Sequence, residues 1–167
     1  MPITLTKAVW EDCPGIHAMQ IQAFRSLLDK YQDYDFSPGA EKLERTQRRF
    51  REPITDFWLI QLDEQRIGAI RVCSFGELCK LKQIFILPEY QGKGYGQEAI
   101  RQVEALYPQA ARWELDTILQ EAKLRHLYEK MGYRSTGRTQ RIQEGMDLLF
   151  YAKQVRQPAP GQAGQRQ

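Results

Sequence analysis

The 167 residues suit one domain with enough chain for a substantial core, and a formal net charge of +3 is too small to argue for nucleic acid. No apolar run is long enough to cross a membrane, the first residues lack the basic-then-apolar pattern of a signal peptide, and three scattered cysteines are too few for a disulfide framework or a zinc site. Together these features point to a soluble, cytoplasmic protein with no nucleic-acid or membrane partner and no metal.

Ile3 to Val9 alternates and is rich in β-formers, which predicts a first strand. Asp12 can cap a helix with Pro14 and Gly15 in its first turn, and apolar residues from Ile16 to Leu28 recur at roughly helical spacing. A loop rich in Asp and Tyr follows from Asp29 to Pro38. Ala40 to Arg51 reads as a second helix that ends before Pro53. Its basic residues are mixed with Glu41 and Glu44, the pattern of a solvated face. Phe57 to Leu62, Ile67 to Cys73 and Leu78 to Leu87 read as three strands joined by turns at Asp63-Glu64-Gln65 and Phe75-Gly76-Glu77.

Past Leu87 comes Pro88-Glu89-Tyr90-Gln91-Gly92-Lys93-Gly94-Tyr95-Gly96, then a helical stripe from Ala99 to Leu106 that ends near Pro108. Glycines at a helix start expose N–H groups that have no partner inside the helix and sit at the positive end of its dipole. Residues Gln91 to Gly96, with Gln97 opening the helix, therefore form a candidate anion cradle at the end of a strand. Trp113 to Leu119 contains a strand, and Ala122 to Met131 is a helix stopped by Gly132. Tyr133 to Gln143 and Met146 to Lys153 form a final antiparallel pair around Glu144-Gly145. From Gln157 the chain is Pro, Gly, Gln and Ala, a composition expected to stay disordered, so the folded domain is taken as residues 1–156.

The order is strand, two helices, three strands, helix, strand, helix, two strands. It predicts an α/β fold: a mixed, mostly antiparallel sheet of about seven strands flanked by helices on both faces. Gln91-Gly92-Lys93-Gly94-Tyr95-Gly96 resembles the pyrophosphate loop Q/R-x-x-G-x-G/A of the GCN5-related N-acetyltransferase (GNAT) superfamily. Leu127-Tyr128-Glu129-Lys130-Met131-Gly132-Tyr133 resembles that family's "Leu-Tyr-Glu-Lys-x-Gly-Phe" segment. Either motif alone is weak, but both occur at the right separation within a matching layout. The clear match covers about residues 56–135.

The resemblance implies acetyl-coenzyme A, the co-substrate, bound where two parallel strands part. Ile84, Phe85 and Ile86 would offer backbone groups to the pantetheine arm, the amides of Gln91 to Gly96 would hold the pyrophosphate, and Lys93 would add a charge. Tyr128 reads either as a half-buried packing tyrosine or as the general acid that protonates the departing thiolate, and the resemblance favours the second. Relatives carry a glutamate base near the position of Lys80, but Lys80-Leu81-Lys82-Gln83 has no carboxylate. Glu77 and Asp116 are the candidate bases, beside a water relay held by Gln83 or by backbone carbonyls. Glu121 stands where many relatives have a pantetheine-binding asparagine, which a carboxylate cannot replace as a donor, and Lys123 reads either as leaning toward the cofactor instead or as an exposed lysine.

Asp33, Tyr34 and Asp35 combine carboxylates with an aromatic face and read either as candidate contacts for a cationic acceptor or as part of a polar loop anchored by aromatic plugs. The expected function is acetyl transfer from acetyl-coenzyme A to a primary amine, carried by a small molecule or a peptide, through direct attack in a ternary complex. A non-catalytic acyl-coenzyme A sensor or scaffold is the alternative. A nucleotide-binding domain is disfavoured because the loop lacks the Gly-Lys-Ser/Thr ending. Oligomeric state is not readable from the sequence; relatives are often dimers, so a homodimer is an expectation by analogy alone.

Overall fold

The computed structural model describes residues 2–157. Beyond Gln157, the expected disordered tail lies outside the described residues. Strands β1 (Ile3–Lys7), β2 (Thr55–Leu62), β3 (Gln65–Phe75), β4 (Leu78–Ile86), β5 (Arg112–Ile118), β6 (Arg134–Gln143) and β7 (Met146–Gln154) form one sheet in the order β1-β2-β3-β4-β5-β7-β6. Only β4 and β5 pair in parallel, because the chain between them crosses over through a helix. Helices α1 (Cys13–Ala23), α2 (Arg25–Tyr31) and α3 (Leu43–Phe50) precede β2, α4 (Tyr95–Ala105) is the crossover, and α5 (Ala122–Lys130) follows β5. The mixed, mostly antiparallel α/β layout is the one expected.

The two faces of the sheet bury separate cores. Ile70, Val72, Leu81 and Leu115 pack with Ile100 and Val103 of α4 and Tyr128 of α5. Phe57, Leu59, Ala69 and Phe85 pack on the other face with Ile16 and Met19 of α1 and Phe50 of α3. Fully burying one such aliphatic side chain contributes about 1.5–3 kcal/mol, so both helix layers are held firmly. β3 is covered on both faces and is buried without interruption from Ile67 to Cys73. Arg71 is the one charged residue in that run.

Several expected boundaries move. The first helix breaks at Phe24 and resumes as α2, so Asp29, Lys30 and Tyr31 are helical. Gly39 packs so closely on the Phe24 carbonyl that a Cβ would lie 3.0 Å from it, and the Phe24 ring turns in to meet Phe85 edge-on at 5.9 Å. Tertiary packing thus overrides a continuous helical pattern. Asp12 does not cap α1 with its side chain; its carboxylate accepts from the Val9 amide at 2.8 Å and pairs with Arg66 at 2.9 Å. Ala40 belongs to a 3₁₀ turn (Pro38–Ala40) rather than to α3. Cys73 and Cys79 are free and buried, and they lie on different faces of the sheet.

β4 and β5 are paired only at Leu78–Arg112, Cys79–Trp113 and Lys80–Glu114, although both strands continue beyond these residues. The β3–β4 register jumps from Val72–Leu81 to Arg71–Gln83, which leaves Lys82 as an extra, bulged residue. A bulge bends its strand, and here it turns β4 away from β5. The far end of β4 is gripped by β3, where Gly68 opposes Ile86. A Cβ at residue 68 would collide with the Phe85 carbonyl oxygen. We therefore expect Gly68→Ala to destabilise the fold by about 3 kcal/mol or more in urea unfolding. A change within about 0.5 kcal/mol would show that this close approach is not required.

Candidate functional site

The parting of β4 from β5 leaves main-chain polar groups of β4 beyond Lys80 without a strand partner on that side. A cleft of about 490 Å³ opens there. One wall is Ile84, Phe85 and Ile86 of β4, as expected from the sequence. The next wall is the glycine loop. Pro88–Tyr90 form a 3₁₀ turn, and the Gln91 side chain donates to the Ile86 carbonyl at 2.8 Å, folding the loop back onto β4. Gly92 and Gly94 take left-handed φ values of 75° and 86°, which side chains resist and glycine tolerates. Gly94 is the N-cap of α4 and gives it no side-chain cap. The first N–H groups of α4, at Tyr95, Gly96 and Gln97, therefore stay available at the positive end of the helix dipole.

Gln91, Gly92, Gly94, Tyr95, Gly96 and Gln97 all line the cleft. Lys93 is exposed and is not among the lining residues, so its charge could reach a ligand only from the rim. α5 supplies the third wall with Lys123, Leu124, Leu127 and Tyr128. Sequence reasoning missed Ala23, Phe24, Ser26 and Leu27, brought over the cleft around the break between α1 and α2, as well as Tyr90, Leu124 and Leu127. No local pattern marked them.

Glu121 also lines the cleft, at the N-cap of α5. Its carboxylate accepts from the Lys30 ammonium at 2.6 Å and from the Tyr31 hydroxyl. The Gln143 side chain donates to the Tyr31 carbonyl at 2.6 Å. These bonds strap the end of α2 across to α5 and β6. Burial pushes the Glu121 carboxyl up, but the hydrogen bonds from Lys30 and Tyr31 outweigh it and hold the group below the usual glutamate range.

Tyr128 is buried at the cleft floor, its ring edge-on to Tyr133 at 6.3 Å. Its hydroxyl has no hydrogen-bond partner among the described residues. Burial first, and the Asp116 carboxylate second, push its pKa above the ordinary tyrosine range. Asp116 lies on β5 between Leu115 and Thr117, and Leu115 points into the α4–α5 core, so Asp116 points to the opposite face. It lines a second cavity of about 330 Å³ together with Lys80, Lys82, Arg138 and Phe150. The residue is exposed, with protein atoms crowding its carboxylate on one side. That desolvation raises its pKa, and the charges of Lys82, Arg138, Lys80 and Arg71 only partly offset it. Tyr128 and Asp116 thus approach the gap between β4 and β5 from its two sides.

Glu77 is placed elsewhere. It precedes β4 at the end remote from Ile84, its carboxylate pairs with Arg156 at 2.9 Å, and its carbonyl accepts from the Ala111 amide at 2.7 Å. Asp33 is buried, and its carboxylate accepts from the Phe36 amide at 3.1 Å, closing its own turn. Tyr34 and Asp35 are exposed and line neither cavity. The expected acceptor trio is therefore not assembled at the cleft; α2 roofs it instead. Among the described residues, no cluster of His, Cys, Asp or Glu is arranged to hold a metal ion.

The model of the acetyltransferase (GNAT) family matches residues 21–133. No curated protein matches the chain by sequence. Among solved structures, the chain is similar to an acetyltransferase from Thermus thermophilus, with a TM-score of 0.72 and 17% identity over 93% of this chain and 98% of that one. It is similar to the ribosomal-protein-S18-alanine N-acetyltransferase of Escherichia coli, with a TM-score of 0.76 and 14% identity over 95% and 97% of the two chains. The spermidine N-acetyltransferase of Vibrio cholerae, solved with coenzyme A and spermine, has a TM-score of 0.72 and 18% identity over 91% and 95%. At such identities the likeness is one of fold.

The strap predicts a measurable stability term. Tyr31→Phe removes a hydrogen bond to a partly buried carboxylate and should cost about 1.5 kcal/mol in urea unfolding at neutral pH. Because Glu121 titrates below its ordinary range, the term is present above that range and disappears as pH falls through the lowered pKa. An unchanged midpoint for Tyr31→Phe at neutral pH would show that this bond does not hold α2.

Proposed function

The chain belongs to the acetyltransferase (GNAT) family, and from that premise we propose that it transfers an acetyl group from acetyl-coenzyme A to a primary amine by direct attack in a ternary complex. The observation that carries the reading is the gap between β4 and β5. An uncapped helix start lies at its mouth, and two ionisable groups approach it from opposite sides. Acetyl-coenzyme A supplies the activated thioester. The residues present suit it: open β4 main-chain groups for an extended arm, and the glycine loop with the first amides of α4 for a diphosphate.

Asp116, rather than Glu77, is the base in this reading. Its pKa, raised by desolvation, makes it a better proton acceptor than an ordinary aspartate. It removes the proton that the amine must lose as the new C–N bond forms, and passes it to solvent. Tyr128 is the acid. Burial keeps its phenol protonated throughout the working pH range. A thiol has a pKa of about 8.5, so early proton transfer from this phenol to sulfur would run uphill. Tyr128 therefore hydrogen-bonds the sulfur first and yields its proton only as the C–S bond breaks. Unpaired β4 N–H groups stand ready for the charge that develops on the carbonyl oxygen. No cysteine takes a covalent role; all three are buried. A coenzyme A sensor would need the cleft alone and gives no reason for Asp116 and Tyr128 to meet across the gap.

Calorimetric titration with acetyl-coenzyme A and thiol release across an amine panel test the activity. We expect Tyr128→Phe to lower kcat about a hundredfold while the dissociation constant of acetyl-coenzyme A stays within about twofold. Equal turnover would remove the assignment. Asp116→Asn should lower kcat/KM at neutral pH at least about tenfold and abolish the acidic limb of its pH profile. Its stability should move the other way. A carboxyl with a raised folded-state pKa loses stability as pH climbs from the unfolded pKa through the folded one, so the asparagine variant should melt at the same or a higher temperature at pH 7. A lower melting temperature together with full activity would make Asp116 structural.

A further inference from the structure

The cavity on the Asp116 side carries a charge pattern that the transfer chemistry leaves unused. It measures about 330 Å³ and is lined by residues of β4, β5, β6 and β7, next to the point where β4 and β5 part. Asp116 and Phe150 are cross-strand partners there. Four cations line it, Lys80, Lys82, Arg112 and Arg138, against two carboxylates, Glu114 and Asp116. Arg112 and Glu114 cancel through an ion pair of 2.8 Å. Lys80, Lys82 and Arg138 form no ion pair among the described residues, yet the charge of each reaches the Asp116 carboxylate. Three unpaired cations therefore surround one carboxylate.

Local backbone structure puts them there. The β3–β4 register skips Lys82, so this residue stands outside the strand pairing and is exposed. The β6–β7 register is likewise interrupted between Ser135 and Thr139, where Gly137 takes a left-handed φ of 85° and donates its N–H to the Ser135 hydroxyl at 3.1 Å. Arg138 comes next, and its guanidinium lies over the Phe150 ring, 4.1 Å from the centroid. Stacking holds this flat group near Asp116 with its side-chain N–H groups unengaged among the described residues. Lys80 opposes Glu114 in the last pair before the strands part. Its ammonium rests 5.5 Å from the Phe75 ring centroid on a flexible stem. Cations gathered in a concave site attract an anion, because the low-dielectric walls focus their field.

We propose that the acceptor is a small amine that also carries a phosphate, held by Lys82, Arg138 and Lys80 while its amine faces Asp116. This rests on the acetyltransferase reading and narrows it. One guanidinium alone forks onto both oxygens of a carboxylate. A phosphate offers three oxygens and a charge of about −1.5 to −2, which suits two point-charge lysines beside an arginine. The charges also match, since three cations and one carboxylate leave the cavity with two positive charges to answer. A polyamine would be repelled by the same three side chains. The amine is drawn to Asp116, which takes its proton as the C–N bond forms; the C–S bond breaks, and the leaving sulfur receives the Tyr128 proton. The cavity is of small-molecule size.

The test uses the full chain saturated with coenzyme A, so that the glycine loop is filled and cannot take the phosphate. At one ionic strength, calorimetry compares ethanolamine, β-alanine and 2-aminoethyl phosphate; thiol release from acetyl-coenzyme A reads turnover of the same three. We expect 2-aminoethyl phosphate to bind about ten- to a hundredfold more tightly than ethanolamine and at least about threefold more tightly than β-alanine, with KM values in the same order. Arg138→Gln and Lys82→Gln should each cut the phosphate advantage about tenfold and leave coenzyme A affinity within about twofold. Lys82 lies outside the strand pairing, so its variant keeps the test valid if loss of the Arg138 stack lowers the melting temperature. Equal affinity for the three amines, preference for ethanolamine, β-alanine bound as tightly as the phosphate, binding of none, or a phosphate advantage that survives in both variants overturns the inference. If plain amines still release thiol in those cases, the acetyltransferase reading stands. A phosphate preference that the variants abolish, in a protein that binds coenzyme A but releases no thiol with any amine, would fault that reading alone.

Discussion

The separation of β4 from β5 is the constraint on which everything else depends. Two parallel strands that stayed paired would satisfy each other's backbone groups and leave no opening. Here pairing stops at Lys80–Glu114, and the bulge at Lys82 turns β4 aside. The gap puts unpaired main-chain groups, the start of α4 and the Tyr128 ring along one cleft, and exposes Asp116 on the other side. Gly68 stabilises the arrangement by letting β3 close tightly on the far end of β4, so the opening is held rather than left loose.

The chain tolerates several locally unfavourable groups near this gap. Tyr128 is buried with no partner for its hydroxyl among the described residues, and Arg71 and Gln83 carry unanswered polar atoms. Buried polar atoms without partners cost the fold stability. Other buried hydroxyls are satisfied: Tyr133 donates to Glu104 at 2.9 Å, and Tyr151 donates to Glu129 at 2.6 Å, whereas Asp33 Oδ2 and Thr46 Oγ1, away from the gap, are also buried without a partner. The two extensive cores offset the cost.

Most of the cleft's lining was legible in the linear sequence because its physics is local. Glycine at residues 92 and 94 is needed for left-handed backbone, and a bare helix start follows directly in sequence. The strand Ile84-Phe85-Ile86 and the helix bearing Tyr128 carry their own periodicities. The acceptor side was not legible. Asp33, Tyr34 and Asp35 looked like a cationic subsite, but the turn buries Asp33 for its own hydrogen bonding and leaves the other two outside both cavities.

The amino-acid sequence by itself determined the element order, the alternation that assigns residues to two faces, the glycine loop and the family, since these depend on neighbours within a few residues or on a fixed period. Only the tertiary structure decided where α1 breaks, that Glu121 would be tied to Lys30 and Tyr31, and that Asp116 rather than Glu77 would face Tyr128 across the gap. Those outcomes depend on contacts between residues about 90 positions apart, as for Tyr31 and Glu121. Such contacts follow from strand register and helix packing, which no local pattern encodes.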